Sequence, residues 1–413
     1  MTFQKPRGTE DKFFSDAKEF FALTTIIRNV MDIYNYSEIK TPTFENANLF
    51  KRSVGDETDV VSKEMYTFLD KKNRELALKP EGTASIIRSV VENKLYSDAN
   101  LPLKLFYIDS FFRYERPQSG RNRQFNQFGV EVFGKASPEL DVELVAMAIT
   151  VIKNVGLEDK DFKVNINYLV SDKEKSAYIN DLKQSLQKLT LCDDCQIRIE
   201  KNILRVLDCK IDQNKFTNIP NMSNYLSAKD QAYFGAITKI MKYLNIDFEI
   251  NSKLVRGLDY YTGFIFEINL VKNNLTLLGG GRYDNLVKQL DGPDLSGAGF
   301  GMGIERLLLE LKNQKITLSK EGQLDAFIVG LSEKAKQFSA ILALMLRTSG
   351  LMVDVNYQDR SLKSSFKFAE SIKSKNIIII GDNELKENVV VVKNLITKVE
   401  QKVKFDELVE FLK

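Results

Sequence analysis

Residues 103–133 constrain the fold more than any other stretch. Two strand-like runs flank a polar loop, Arg116-Pro117-Gln118-Ser119-Gly120-Arg121-Asn122-Arg123, which predicts an antiparallel hairpin and therefore a sheet. Side chains alternate between the faces of a strand. Arg113 and Glu115 should thus share a face of the first strand, and Phe125, Gln127, Gly129 and Glu131 a face of the second. One face then collects a guanidinium, two carboxylates, an amide, an aromatic ring and a gap. That is too polar for a core, while a solvated face would leave Phe125 stranded. Arginine holds phosphate or carboxylate in a two-pronged geometry, and Phe125 offers a plane for a flat base. The alternative is an amphipathic hairpin with its polar face in water.

Three further segments add chemistry. Arg256-Gly257-Leu258-Asp259-Tyr260-Tyr261-Thr262-Gly263 sets a cation beside two adjacent tyrosines, before a strand-like run at 263–268. It suggests a pocket for a small polar ring and an anion; the plainer reading is a basic turn leading into a buried strand. Gly299-Phe300-Gly301-Met302-Gly303-Ile304-Glu305-Arg306 places glycines at alternate strand positions, leaving one face bare so that something flat can lie on the backbone. A helix should follow, with Arg306 in its first turn. The stretch lacks the spacing and trailing Lys-Ser/Thr of a P-loop. Gly279-Gly280-Gly281-Arg282-Tyr283-Asp284 adds another bare patch. In Lys79-Pro80-Glu81-Gly82-Thr83, a carboxylate and a hydroxyl two residues apart suit a substrate ammonium, or else a turn capping a helix from about Ala84.

Together these segments resemble the catalytic core of the class II aminoacyl-tRNA synthetases, and within that class the histidyl-tRNA synthetase family. Residues 35–42, Asn-Tyr-Ser-Glu-Ile-Lys-Thr-Pro, resemble motif 1 of the class, 112–125 motif 2, and 301–306 motif 3. The Arg256–Tyr261 stretch resembles the family's histidine-binding segment, and 5–9 its N-terminal sequence. The resemblance implies an α+β fold: an antiparallel sheet flanked by helices, a helical insertion, and a C-terminal α/β anticodon-binding domain. It implies ATP-dependent activation of L-histidine and transfer to the 3′ end of tRNA(His), with Mg2+ bridging the outgoing phosphates, in a cytoplasmic homodimer.

The same resemblance implies roles. Arg113 would grip the ATP α-phosphate and Arg306, next to Gly303, the γ-phosphate, with help from Arg121. Glu115 would accept from the adenine amino group, with Phe125 stacked on the ring. Glu81, Thr83 and Gln127 would hold the amino-acid ammonium. Glu131 and Tyr261, beside Tyr260, would pair with the imidazole nitrogens. Arg256 would sit between the α-phosphate and the substrate carboxylate. Arg116 and Gln118 would reach the acceptor end of the tRNA. Such a transfer needs positioning and cations against developing charge rather than covalent help.

Composition narrows the chemistry. The 413 residues include no histidine, which excludes a histidine base, a Ser-His-Asp triad and an imidazole metal ligand; adenylation requires none of these. Net charge is only +3, against a broad nucleic-acid-coating surface but compatible with a local basic patch. No apolar run approaches a membrane span. Three cysteines in a long chain suit a reducing compartment. Cys192-Asp193-Asp194-Cys195 with Cys209 invites a zinc reading, yet only one CxxC is present, the third cysteine stands alone and no histidine can complete the set. No metal site is expected.

Periodicity predicts helices near 12–34 and at 138–155, and a helical, lysine-rich stretch at about 170–250, whose position between motifs 2 and 3 resembles the family's inserted domain. A catalytic domain over 1–318 should meet a polar linker at 312–322, followed by a second domain over 322–413. There, strands at 324–331, 351–357 and 376–381 alternate with helices at 333–348 and 361–373, which argues a largely parallel sheet. In the last helix Leu362, Phe366 and Ala369 should face inward, while Arg360, Lys363 and Lys367 form a basic face for RNA or solvent. Three rivals share parts of this pattern: a synthetase-like regulatory subunit of histidine biosynthesis, a prolyl or threonyl enzyme, and a sensor of uncharged tRNA. The C-terminal segment with Arg113, Arg256 and Arg306 speaks against the first; Glu131 with Tyr260-Tyr261 speaks against the second. The third would bind tRNA without needing an intact ATP site.

Overall fold

The computed structural model describes residues 3–55, 58–118, 120–319, 322–358 and 360–413, and the chain divides into two units, 1–319 and 320–413. The first is built on an eight-stranded sheet. Its strands run Ser37–Glu38, Leu103–Phe112, Gln124–Gly134, Ser296–Gly303, Thr276–Arg282, Thr262–Leu270, Phe162–Leu169 and Glu249–Ile250, in that spatial order. All neighbours pair antiparallel except the two edge pairs, which are parallel.

Alternation along the strands divides the burial between two sides. Phe106, Phe128, Val130 and Val132 pack with Leu23, Ile27, Val145 and Met147 of the helices Phe14–Ile33 and Pro138–Asn154. Leu105, Tyr107, Phe111 and Phe133 pack on the other side with Ile86, Ile87 and Val90 of the helix Thr83–Glu92. The Pro138–Asn154 helix begins as its sequence suggests: Pro138 occupies the first turn, and the Ser137 hydroxyl accepts from Leu140 N–H at 3.2 Å.

Several expectations change. The first hairpin strand ends at Phe112, and residues 113–117 are irregular, so Arg113 and Glu115 reach the site from a loop and not from a strand face. The stretch expected to be a linker starts inside the helix Ile304–Asn313 and stays fastened to the first unit: Leu318 N–H and Ser319 N–H donate to the Glu19 carboxylate at 2.9 and 3.0 Å. Residues 320 and 321 lie outside the described residues. The insertion is helical, with Asp172–Leu186, Asp193–Lys201 and Ala228–Tyr243 joined by 3-10 turns. Its third cysteine does not stand alone: donor atoms of Cys192, Cys195, Cys209 and Asp212 all lie within 4.8 Å of one another.

In the second unit the strand Leu324–Gly330 lies parallel between Val353–Val355 and Ser374–Ile380. An antiparallel pair, Val389–Asn394 and Glu400–Lys404, completes the five-stranded sheet. The helix Leu362–Ser371 turns Ala369 and Phe366 inward as expected, but not Leu362. Ser361 caps it, Leu362 is exposed, and Ser365 and Ala369 are the buried positions. Lys363 and Lys367 are exposed, while Arg360 lies 4.0 Å over the Phe368 ring.

Candidate active site

One cavity of about 400 Å³ opens on the sheet face that carries Gln127 and Glu131. Strand register explains its position. Gly299 pairs with Glu131, Gly301 with Gly129 and Gly279 with Gly301. The glycines do not leave a wholly bare floor. A Cβ at Gly299 would meet the Glu131 carboxylate, one at Gly301 the Gln127 amide, and one at Gly279 the Arg256 guanidinium. Each glycine seats a long polar side chain from a neighbouring strand or loop, which lies down along the sheet and turns its polar end into the cavity.

At the deep end, Glu131 is buried. Its Oε1 accepts from Thr83 Oγ1 at 2.7 Å, and its Oε2 accepts from the Tyr283 hydroxyl. Burial pushes its carboxyl up to about 8, against the pull of those two hydrogen bonds and with a further upward push from Glu81. Glu81 is also buried and raised by burial, although Thr83 N–H and Ala84 N–H donate to it at 2.8 and 2.9 Å. The helix-capping reading of Glu81 is therefore realised, and the same carboxyl still lines the cavity. Tyr260 OH donates to Thr83 Oγ1 at 3.4 Å, and the rings of Tyr260 and Tyr261 lie 4.8 Å apart.

Halfway out, Arg256 donates through Nη1 to Glu267 at 3.2 Å and sits 5.9 Å from the Tyr261 ring centre. Its Nε is buried without a protein partner, and so is Gln127 Oε1. A buried polar atom left unpaired costs about 1–3 kcal/mol. Both residues line the cavity, so a donor and an acceptor without protein partners stand in its wall.

Toward the mouth, Arg113 lies 5.4 Å over the Phe125 ring, and its Nε donates to Pro80 O at 2.8 Å. Glu115 pairs with Arg121 at 3.4 Å and with Arg113 at 3.9 Å. Arg306, in the first turn after Gly303, donates to Thr276 O at 2.9 Å. Backbone oxygens anchor Arg113 and Arg306, and the single carboxylate of Glu115 is shared between Arg113 and Arg121. Glu64 is raised by burial and then by the charge of Glu115.

Thirteen of the residues singled out from the sequence therefore line a single cavity: Glu81, Thr83, Arg113, Glu115, Arg121, Phe125, Gln127, Glu131, Arg256, Tyr260, Tyr261, Gly303 and Arg306. Arg116 and Gln118 do not; both are exposed on the hairpin loop, and Arg116 borders a separate shallow hollow with Arg7, Tyr114 and Arg123. Sequence reasoning missed Tyr107, Tyr283, Arg198 and Arg205, all of which line the cavity. Tyr107 fills the gap left by Gly129 and Gly82; its place opposite Gly129 in the hairpin was the available signal. Arg198 and Arg205 come from the insertion and lie 3.7 and 3.6 Å from Asp59; no local pattern marks them.

Two family models match the chain. The model described as histidyl-tRNA synthetase covers residues 8–307, and that described as anticodon binding domain covers 325–413. A histidine–tRNA ligase of Mesoplasma florum is 47% identical over 99% of this chain and 90% of its own length. One from a Geobacillus species is 42% identical over 100% of this chain and 99% of its own. The crystal structure of apo S. aureus histidyl-tRNA synthetase superposes with a TM-score of 0.83 at 36% identity, covering both chains fully.

Proposed function

The chain belongs to the histidyl-tRNA synthetase family, and we propose how its cavity carries the reaction of that family. The enzyme is a class II aminoacyl-tRNA synthetase that activates L-histidine with ATP and charges tRNA(His). The observation that carries our assignment of residues is the pair of unpartnered buried atoms, Gln127 Oε1 and Arg256 Nε, between a carboxyl-rich deep end and an arginine-rich mouth.

Histidine enters with its ring deepest. Glu131 and Tyr261 take the imidazole nitrogens, with Tyr260 and Tyr283 fixing the wall behind them. The ammonium lies near Glu81, Thr83 and the open Gln127 oxygen. The substrate carboxylate then falls beside Arg256. Adenine stacks on Phe125, with Glu115 accepting from its amino group. Arg113 and Arg256 hold the α-phosphate, and Arg121 and Arg306 the outer phosphates. The histidine carboxylate attacks the α-phosphorus, and the bond to the pyrophosphate oxygen breaks. Arginines already anchored, Arg113 and Arg306 on backbone oxygens and Arg121 and Arg256 on carboxylates, stabilise the charge that develops. A bound Mg2+ would neutralise the leaving phosphates; Glu64, kept above its usual range by burial and Glu115, is a carboxyl in the cavity that a dication would recharge.

Loop residues Arg116 and Gln118, exposed outside the cavity, would meet the acceptor end of the tRNA, and the exposed Lys363 and Lys367 of the second unit would give a basic face for its anticodon arm. A homodimer is supported by apolar surface on the small sheet of Phe44–Asn46, Thr67–Leu69 and Glu75–Leu78, where Phe44, Phe68 and Leu69 are exposed. A catalytic domain over 1–318, an insertion at 170–250 and an anticodon-binding domain over 322–413 complete the reading. We place the enzyme in the cytoplasm; among the described residues no helix is long and apolar enough to cross a membrane.

Histidine-dependent ATP–pyrophosphate exchange tests the assignment. A chain ending at residue 319 should retain most of this exchange, because every adenylation residue precedes that point, while charging of tRNA falls much further. Equal loss of both activities in a truncated protein that remains folded would refute the modular division.

A further inference from the structure

The insertion holds a cluster that the aminoacylation reaction does not use. We propose that Cys192, Cys195, Cys209 and Asp212 bind one zinc ion that ties the two ends of a 21-residue segment together, from Cys192 to Asp212. Counting cysteines and histidines in the sequence misses this set because its fourth member is a carboxylate. Read with Asp212 included, the spacing is two matched pairs, Cys192-x-x-Cys195 and Cys209-x-x-Asp212. Paired ligands two residues apart are the usual grammar of structural zinc sites.

The geometry suits the ion. All four donor atoms lie within 4.8 Å of one another. Cys192 Sγ and Cys209 Sγ are 3.8 Å apart, and Cys209 Sγ is 3.9 Å from Asp212 Oδ2. Tetrahedral ligands at a Zn–S distance of about 2.3 Å stand roughly 3.8 Å from each other. Cys195, Cys209 and Asp212 are buried, and Cys192 is half-buried. Asp212 N–H donates to Cys209 Sγ at 3.4 Å, a contact that supports a thiolate. Asp212 is held from behind, with Oδ1 on Lys215 Nζ at 2.7 Å and Oδ2 accepting from Cys192 N–H at 2.9 Å on the side of the sulfurs. Three thiolates and a carboxylate around a dication leave excess negative charge, and Lys215 offsets part of it. Two cysteines poised for a disulfide would account for one pair only; they would leave Cys195 and the oriented Asp212 without a purpose. Sulfur-rich tetrahedral donors select zinc over hard cations.

The position gives the ion its effect. From the first pair to the second run the helix Asp193–Lys201, which carries Cys195, and the turn Ile203–Asp208; they bring Arg198, Arg205 and Asp208 to the wall of the cavity. A knot at both ends of this segment fixes what it presents.

Full-length protein made in zinc-supplemented medium and purified without chelators should retain about one zinc per chain by mass spectrometric metal analysis. Its three thiols should resist titration until a mercurial reagent releases the ion. Cobalt substitution should give sulfur-to-cobalt charge-transfer absorption with the visible bands of a tetrahedral site. Asp212→Cys should keep the ion and intensify that absorption, which tests the site without removing a ligand. Cys209→Ser should lose the ion, with exchange activity surviving at a raised KM for ATP. Wild-type protein that is folded and active but carries less than about 0.1 zinc per chain, with three freely reactive thiols or a Cys192–Cys209 disulfide, would overturn the proposal. So would an Asp212→Cys protein with an unchanged cobalt spectrum.

Discussion

Replacing Arg256 with lysine is expected to lower the rate of adenylate formation by about 10²–10³, while the protein stays folded and still binds histidine. The guanidinium is committed on one side to Glu267 and lies across Gly279, and its Nε is buried and unpaired. It therefore has a donor free for an incoming oxygen while another prong keeps it anchored. Lysine retains the charge but offers one compact, strongly hydrated point, which cannot hold Glu267 and bridge two substrate groups together. Since the contact strengthens as charge builds between carboxylate and α-phosphate, the loss should fall on turnover more than on binding. Pre-steady-state adenylate formation measures it. A lysine variant within a few-fold of wild type would show that charge alone suffices, and weaker histidine binding with unchanged chemistry would move Arg256 to ground-state recognition.

The second large effect is expected from Glu131→Gln, which should raise the KM for histidine about ten- to a hundredfold and leave that for ATP within a few-fold. Both carboxyl oxygens accept hydrogen bonds, from Thr83 and Tyr283. An amide can accept through one atom only and turns a donor toward the other. Losing a buried hydrogen bond and leaving its partner unsatisfied costs about 1–3 kcal/mol. The substitution has a second signature. Glu131 titrates at about 8 in the folded protein, against 4.5 for an ordinary glutamate. The folded chain thus holds a proton that the unfolded chain releases. The stability from this group is complete below about 4.5 and is lost as pH rises through about 8. Glutamine does not titrate, so the fall in melting temperature between about pH 5 and pH 8 should be steeper in wild type than in the variant. Parallel changes in both KM values, or equal pH slopes, would make Glu131 a general structural residue.

Much of this was legible in the chain. Phe125, Gln127, Gly129 and Glu131 share a face because strand alternation is a local property, and Arg306 follows Gly303 by one helical turn. What escaped the sequence depended on register between distant strands and on segments without periodicity. Tyr283 meets Glu131 across 152 positions, and no local pattern distinguishes it from a core tyrosine. Arg198 and Arg205 belong to an insertion whose path is set by tertiary contacts. Arg113 and Glu115 line the same cavity as the strand face of Phe125 and Glu131 but reach it from a loop, since the first hairpin strand stops before both. Leu362 escapes the apolar pattern because it is the first residue of its helix, beside the Ser361 cap and at the edge of the buried face that Phe366 and Ala369 share.

The seats provided by Gly279, Gly299 and Gly301 bear on how changes in this protein combine over evolutionary time. Each long polar side chain and the empty place beneath it form one heritable unit split between two positions. Gly279→Ala should evict the Arg256 guanidinium and so imitate a substitution at Arg256 itself. The double variant, Gly279→Ala with Arg256→Lys, should then be little worse than either single change, a departure from additivity of the size seen for residues in contact. Lineages that lose one member of such a unit lose the constraint on the other, so drift at a floor glycine is expected only where its overlying partner has already gone.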